Sequence, residues 1–347
     1  MTYPIGCNDP NVIEAAQIGR VRPQGNPEEG SFPVGPRTSM TLTREWMRRI
    51  YGVGIGAAGI QIANLDGDGF PELVCSAGLG GFDPPRFWYA LRYIGTDLQH
   101  IYFSEIYTEN IASLVIANVD SDDDLDIVVA VGTQVLAYDG SSFEIVSSFT
   151  AAAGTIRGIA LRDIDGDGGT EIAAIGTAGL AIHDVITGSV EFLAPTLVGT
   201  DCAIGNVDTD SSLEIAIANG VNPLRVLDYE TGQIQWTYNF TFGARVRVAD
   251  VDGDGLDEIV AVRNQNRVLV LDADLQARKY EHISSSISRI DAFRLSDFDG
   301  DGVSEIVYGD QSGQMFLLRG TDGGELWQFW GGGIGRGHGP SRRRPRS

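Results

Sequence analysis

The sequence predicts an all-β protein, a β-propeller of four-stranded antiparallel blades, and three observations support this fold class. An apolar strand, an acidic glycine-containing loop and a second apolar strand occur together six times between residues 59 and 309. The loops start at intervals of 54, 45, 43, 44 and 47 residues, and a period of about 40–50 residues is typical of propellers and solenoids. Each interval holds four short alternating strands separated by turn residues, which predicts one blade per repeat.

The repeats divide the chain into three parts. Residues 58–330 contain six complete blades, whereas residues 1–57 are irregular and carry only faint echoes of the repeat, at 13–19 and 44–56. The tail, residues 331–347, is rich in Gly and Arg and is predicted to form a closing strand or to be disordered. Because ring closure removes exposed sheet edges, we expect these terminal pieces to complete a seventh, degenerate blade. Six blades with a free N-terminal arm is the alternative.

Charge and composition exclude several classes of protein. The net charge is −22, and 24 of the 47 acidic residues lie in the six loops, so nucleic acid is not an expected partner. No apolar run reaches the 18 or so residues of a membrane span, and the first residues show no signal peptide in this numbering. Three cysteines, an odd number without metal-binding spacing, predict buried free thiols.

The loops have the composition of calcium sites. Counted from its first Asn or Asp, each loop places side-chain oxygens at positions 1, 3, 5 and 9, and calcium prefers six to eight oxygen ligands. Up to six ions are therefore expected. The predicted ligands are Asn64, Asp66, Asp68 and Glu72 in loop 1; Asn118, Asp120, Asp122, Asp124 and Asp126 in loop 2; Asp163, Asp165, Asp167 and Glu171 in loop 3; Asn206, Asp208, Asp210 and Glu214 in loop 4; Asp250, Asp252, Asp254 and Glu258 in loop 5; and Asp297, Asp299, Asp301 and Glu305 in loop 6.

The loops are not EF-hands, and they are not equivalent. An EF-hand needs a bidentate Glu at position 12 and flanking helices, but position 12 here is never acidic and the flanks are β-rich. Glycine at position 6 permits the positive φ of a tight turn. Loop 4 has Ser211 there, which we expect to be strained, so loop 4 is predicted to bind calcium most weakly.

The six D/N-x-D-x-D-G-x-x-E-type loops resemble the FG-GAP (or VCBS) repeat family, the calcium-loop propellers related to the integrin α-subunit head. The resemblance covers residues 58–330, while YGVGIGAAG (51–59) and FGA (242–244) are faint versions of the phrase that names the family. It implies a seven-bladed propeller, calcium in the strand-connecting loops and an extracellular or cell-surface location. It implies no single activity.

No catalytic residues are predicted. The four histidines, His100, His183, His282 and His338, lie in different units or in the tail and have no metalloprotease spacing. No nucleophile elbow or Cys–His pair is present. The calcium sites are expected to clamp strands, because the protein ligands leave little room for a substrate on the ion.

One segment, residues 81–107, carries eight of the chain's 30 aromatic residues. Exposed aromatic rings beside arginines would suit a sugar or a protein partner, and the candidates are Phe82, Arg86, Trp88 and Tyr89. Packing of these rings between blades is the other interpretation.

The sequence leaves three functions open. The first is a non-enzymatic extracellular adhesion or recognition module, kept rigid by calcium, whose ligand is a protein or glycan. The second is a structural subunit that binds copies of itself in a filament or surface layer. The third is a carbohydrate-active enzyme of the propeller type.

Overall fold

In the computed structural model, the chain folds into six consecutive four-stranded antiparallel blades arranged as a β-propeller. The structure describes residues 60–79, 84–94, 97–120, 122, 124–220, 223–240, 243–263, 266–285 and 288–330, and four two-residue strands nearer the N-terminus. These short strands pair Glu14–Ala15 with Arg48–Arg49 and Val21–Arg22 with Thr41–Leu42. Most of residues 1–57 and all of 331–347 lie outside the described residues, so the seventh blade stays a prediction.

The strands of each blade pair in chain order, and the first strands of neighbouring blades contact one another. Their bounds are as follows: blade 1, Ile60–Ala63, Glu72–Ala77, Phe87–Ile94 and Asp97–Phe103; blade 2, Ile111–Ala117, Asp126–Val131, Gln134–Tyr138 and Ile145–Thr150; blade 3, Ile156–Arg162, Glu171–Gly176, Gly179–Asp184 and Val190–Ala194; blade 4, Asp201–Gly205, Glu214–Ala218, Leu224–Asp228 and Ile234–Tyr238; blade 5, Val246–Ala249, Glu258–Arg263, Arg267–Asp272 and Ala277–Ile283; blade 6, Ile290–Ser296, Glu305–Asp310, Gln314–Leu318 and Glu325–Trp330.

Burial explains why the strands differ in sequence. The second strands are apolar almost throughout and are buried on both faces in blades 2, 3 and 4, as expected for a strand covered on both sides. The fourth strands of these blades alternate or are largely exposed. The outer edge of each blade therefore faces solvent, while its middle forms the core.

The core consists of apolar layers between neighbouring blades. Five clusters join blades 1 and 2, 2 and 3, 3 and 4, 4 and 5, and 5 and 6. A sixth cluster, around Cys75, Tyr89 and Leu91, belongs to blade 1 alone, on its other face. Cys75 and Cys202 are buried free thiols, as the sequence predicts.

The pairing of third and fourth strands contains the same irregularity in every blade. In each blade, one residue of the fourth strand has no partner on the third strand and forms a β-bulge. A bulge re-aims a side chain relative to the regular ladder. The bulged residues, in blade order, are Ile101, Val146, Glu191, Gln235, Lys279 and Leu326.

Candidate metal centres

The six acidic loops all join the first strand of a blade to its second strand, as the repeat predicts. Position 9 of each loop begins the second strand, and its carboxylate is between 0% and 3% exposed. In every loop this carboxylate accepts a hydrogen bond from the backbone N–H of position 2. The pairs are Leu65 to Glu72 at 2.9 Å, Val119 to Asp126 at 2.8 Å, Ile164 to Glu171 at 2.8 Å, Val207 to Glu214 at 2.9 Å, Val251 to Glu258 at 3.0 Å and Phe298 to Glu305 at 2.8 Å.

Positions 3 and 5 shape the turn as well as supplying oxygens. In loop 3, Asp165 accepts the N–H of Asp167 at 3.1 Å, and Asp167 accepts the N–H of Gly169 at 2.7 Å. Side chains that bond to the backbone two residues ahead replace a regular ladder by a tight turn. Carboxylate oxygens of Asp163, Asp165 and Asp167 thereby lie within 4.8 Å of one another.

The residue at position 1 divides the loops into two groups. In loops 3, 5 and 6 it is an Asp whose carboxylate accepts the N–H groups of positions 4 and 6, as Asp163 does for Gly166 and Gly168 at 2.7 and 3.1 Å. In loops 1, 2 and 4 it is an Asn. The oxygens of Asn64 and Asn206 are buried and accept no hydrogen bond from the protein.

Glycine has its expected positive φ at position 6, and also at position 4. In loop 3 the values are 77° for Gly166 and 92° for Gly168. The expectation for Ser211 was wrong: among the described residues the non-glycine residues with positive φ are Phe143 and Gln276. In loop 4, Asp208 and Asp210 accept the N–H groups of Asp210 and Ser212 at 3.0 and 2.8 Å, the same bonds that Asp165 and Asp167 make in loop 3. The weaker binding of loop 4 stays a prediction without this strain.

Buried oxygens without a donor provide the test of whether a cation fits. The Oδ1 atoms of Asp126 in loop 2 and of Asn206 in loop 4 are buried and accept no hydrogen bond from the protein. Asp126 also lies within a cluster with Asp120 and Asp139, their oxygens within 4.8 Å. A buried acceptor that lacks a donor costs about 1–3 kcal/mol. All these groups are hard oxygen ligands, so the donor set fits calcium.

The anchored carboxylates resist ionisation in the absence of a cation. Burial raises the pKa of Asp126 to about 6 and the pKa values of Glu171, Glu214 and Glu305 to about 7, against the opposing effect of the position 2 N–H bond. The neighbouring loop carboxylates raise these pKa values further by repulsion. A bound divalent ion would reverse that repulsion.

Loops 1 and 5 differ from the others because a basic side chain enters each. In blade 1, Arg92 lies directly opposite Glu72 on the third strand. Its Nε is 2.7 Å from Glu72 Oε1, and it also bonds to Asp66. In blade 5, Lys279 Nζ is 2.9 Å from Glu258 Oε1 and also contacts Asp252. Neither Arg92 nor Lys279 is among the residues that the sequence predicts for these sites.

Loop 3 gains acidic neighbours instead. Glu171, Asp184 on the third strand and Glu191 at the fourth-strand bulge bring carboxylate oxygens within 4.8 Å of one another. Burial raises the pKa of Glu191, and Asp165 and Asp184 add to the effect. The turn that begins at Asp184, D-x-x-T-G, recurs at Asp228 and could have indicated these third-strand aspartates.

Two of the predicted partner-binding residues, Trp88 and Tyr89, are packed inside the protein. Trp88 and Tyr89 are both 0% exposed. The Trp88 Nε1–H donates to Tyr107 Oη at 3.1 Å, and Arg86 donates to the carbonyl oxygens of Tyr107 and Thr108 at 2.9 and 2.6 Å. Phe82 lies outside the described residues. Trp88 and Tyr89 therefore pack inside the protein, as in the second interpretation of this segment, and their rings are inaccessible to a partner.

A groove between the outer strands of blades 4 and 5 offers a different surface. It has a volume of about 690 Å³ and is lined by Trp236, Tyr238 and Phe240 and by three arginines around one glutamate. Arginines 263, 267 and 278 lie 3.7, 3.2 and 3.4 Å from Glu281. The groove therefore carries an excess of positive charge on an acidic protein, and Phe240 is exposed.

Two of the described histidines make packing and hydrogen-bond contacts. His183 is buried, where its Nε2 accepts the N–H of Ala152 at 3.1 Å and its Nδ1 lies 3.0 Å from Gly188 O. His282 Nε2 lies 3.1 Å from Tyr308 Oη. Both of these histidines thus lie where neighbouring blades meet, since His183 of blade 3 packs on Phe149 of blade 2 and His282 of blade 5 contacts Tyr308 of blade 6.

The geometry defines this protein as a β-propeller with acidic strand-connecting loops, and known structures share its fold. No family model matches the chain, and no curated protein matches it. BBS1N, solved in complex with ARL6DN, is 14% identical, with a TM-score of 0.58 over 78% of this chain and 80% of that chain. A chain of the mitotic checkpoint complex is 12% identical, with a TM-score of 0.56 over 81% and 79%. Saccharomyces cerevisiae Sqt1 is 11% identical, with a TM-score of 0.51 over 69% and 66%.

At these identities the similarity shows the fold alone. It confirms the predicted propeller. Among the described residues, no helix has the length and apolar character needed to cross a membrane.

Proposed function

We propose that this protein is a non-enzymatic, extracellular, calcium-binding β-propeller that acts as an adhesion or recognition module. The calcium part rests on one observation: the loops bury oxygens, such as Asp126 Oδ1, that accept no hydrogen bond from the protein. Calcium would supply the positive charge that these oxygens lack. The loop pattern and its resemblance to FG-GAP repeats support the same assignment.

The role proposed for the ion is to clamp the ring. Each loop joins two strands of one blade and also touches its neighbour. The N–H of Leu125 donates to Leu65 O at 3.2 Å, and that of Ser304 donates to Asp250 O at 3.0 Å. An ion that fixes one loop would therefore also order the junction between blades. Calcium sites of extracellular modules bind at about 10⁻⁴–10⁻³ M, a range that is filled outside the cell.

The recognition part rests on the groove between blades 4 and 5. Aromatic rings and arginines are the residue types that dominate binding energy at protein interfaces. Three arginines that share one glutamate favour a partner that brings carboxylates. BBS1N and the checkpoint-complex chain were solved in protein assemblies. By analogy of fold, we propose that the partner is a protein with an acidic segment.

The calcium assignment predicts a large thermal shift. At calcium concentrations about 100-fold above Kd, each site stabilises the folded state by about 2.7 kcal/mol. We expect calorimetric titration to show binding at about 10⁻⁴–10⁻³ M, and the melting temperature to rise with calcium but not with an equal concentration of magnesium. An unchanged melting temperature in 10 mM calcium would contradict the proposal.

Negative-stain microscopy separates recognition from self-assembly. Dispersed rings of one propeller each, in millimolar calcium, are expected for a recognition module. Ordered fibres or sheets that disappear on chelation would instead establish a structural polymer.

A titration with a peptide rich in Asp and Glu tests the groove between blades 4 and 5. The peptide should bind the wild type more tightly than Arg267→Glu, and equal affinity for both proteins would reject the groove as the binding site.

A further inference from the structure

Loops 1 and 5 already hold a cation that belongs to the chain. In loop 1, the Arg92 guanidinium reaches all three carboxylates: it bonds to Glu72 and Asp66, and its Nη1 lies 3.7 Å from Asp68 Oδ2. These are the side chains that a divalent ion in this loop would need. A planar guanidinium with several N–H donors satisfies carboxylate oxygens at fixed geometry.

Loop 5 also holds a cation of the chain, which comes from the fourth strand of the blade and not from the third. Lys279 is the single lysine of the chain, and its ammonium contacts both Glu258 and Asp252. Glu258 is 2% exposed, so the ion pair neutralises a buried carboxylate. Removing one partner of such a pair leaves an uncompensated buried charge, which is costly.

The bulge position shows that this arrangement is specific to blade 5. Lys279 is the bulged residue of its fourth strand, and the bulged residue of blade 3 is Glu191. In blade 3 that residue adds a negative charge to the cluster with Glu171 and Asp184. One structural position therefore carries opposite charges in two loops of otherwise similar sequence.

The third-strand position makes the same distinction for blade 1. Arg92 lies opposite Glu72, whereas the residues opposite Glu171 and Glu214 are Asp184 and Asp228. An arginine at this position supplies the positive charge, and an aspartate adds another oxygen ligand. Loops 3 and 4 thus lack the cation that loop 1 contains, and in blade 6 Arg319, which follows the Leu318 that pairs with Ile306, bonds to Asp322 instead.

We propose that Arg92 and Lys279 are built-in counter-ions that take the place of calcium in loops 1 and 5, so that divalent ions bind in at most four of the six loops. This inference rests on the proposed calcium function of the remaining loops. It also assigns a role to the one lysine of an arginine-rich chain. Loop 3, where Asp184 and Glu191 add to the carboxylates of the loop, is expected to bind most tightly.

Calcium stoichiometry tests the proposal. Equilibrium dialysis of the full chain against 5 mM ⁴⁵CaCl₂ is expected to give no more than four ions per chain. Arg92→Gln and Lys279→Glu should each gain one ion, and the double variant should gain two. Lys279→Glu recreates in blade 5 the charge that Glu191 provides in blade 3, while Lys279→Gln is the milder variant if the glutamate prevents folding.

The matched control is Arg278→Gln, which removes a positive charge from the adjacent residue. Arg278 pairs with Glu281 and not with a carboxylate of loop 5. The Arg278→Gln variant should therefore bind as many calcium ions per chain as the wild type. Six ions bound by the wild type, or no gain in any folded variant at Arg92 and Lys279, would overturn the built-in counter-ions. No calcium bound by any form would instead refute the proposed calcium function.

Discussion

In the presence of a chelator, this protein is expected to lose stability as the pH rises from about 5 to 7.5. The cause is the set of anchored carboxylates. The folded-state pKa is about 6 for Asp126 and about 7 for Glu171, Glu214 and Glu305, above the ordinary values of 3.8 for Asp and 4.5 for Glu. The folded state therefore holds these protons more tightly than the unfolded chain does.

The sign of the pH dependence follows from linkage. When the pKa of a carboxyl group is higher in the folded state than in the unfolded state, its contribution to stability is complete at a pH below the unfolded-state pKa. This contribution is lost as the pH rises through the folded-state pKa. His282, whose pKa burial lowers, works in the opposite direction, but it is one group against four. Asp139 and Asp297 have lowered pKa values. The stability that they contribute is therefore lost only when the pH falls below about 4.

Thermal melts in EDTA at pH 5, 6, 7 and 7.5 measure the effect. We expect the melting temperature to fall by about 5–10 °C across this range, because each pKa unit corresponds to at most about 1.4 kcal/mol before solvent screening and 1 kcal/mol shifts the melting temperature by about 2–4 °C. In 10 mM calcium the fall should vanish, since the ion favours the ionised carboxylates. A melting temperature that climbs steadily with pH in EDTA would show that these carboxylates are not buried against one another.

The repeat made the fold predictable from the sequence. Each loop is local, and its alternation of acidic and glycine residues fixes where the first strand ends and the second begins, as at Asp163 and Glu171. In blade 3 the alternation predicts strands at residues 156–162, 171–176, 180–185 and 189–195, and the observed strands agree with these within one residue at either end. Packing of blade on blade then follows from strands that are apolar on both faces.

The counter-ions could not be predicted in the same way, because they depend on register. Arg92 is 20 residues beyond Glu72, and only the pairing of the second and third strands places it opposite. Lys279 reaches loop 5 only because a bulge turns it out of the ladder. Neither the register nor the bulge has a local sequence signal. The strain expected at Ser211 is absent because loop 4 passes this residue without a positive φ, although Asp208 and Asp210 make the same backbone bonds as their counterparts in loop 3.

The position 9 carboxylate was predicted as a metal ligand, and the structure gives it a second task. Glu171 Oε2 accepts the buried N–H of Ile164 at 2.8 Å while the side chain also faces Asp184 and Glu191. Two substitutions separate these tasks. Glu171→Gln keeps an oxygen that can accept the N–H but removes the charge, whereas Glu171→Ala removes both.

We expect the effect of Glu171→Gln on stability, relative to the wild type, to change sign between two conditions. In EDTA at pH 7.5 its melting temperature should equal or exceed that of the wild type, because the amide removes a repelled buried charge. In 10 mM calcium it should melt below the wild type and bind one ion fewer. Glu171→Ala should be less stable than the wild type in both conditions, by about 1–3 kcal/mol, because the N–H of Ile164 loses its acceptor.

Urea unfolding in EDTA and in 10 mM calcium provides the free energies of unfolding for the comparison. Glu144→Gln is the matched control, since it removes one negative charge from an exposed residue outside the loops and should follow the wild type in both conditions. If Glu171→Gln were destabilised equally with and without calcium, the carboxylate would be serving the fold alone. A loss confined to calcium would place the ion at loop 3, beside the carboxylates that burial alone leaves only partly ionised.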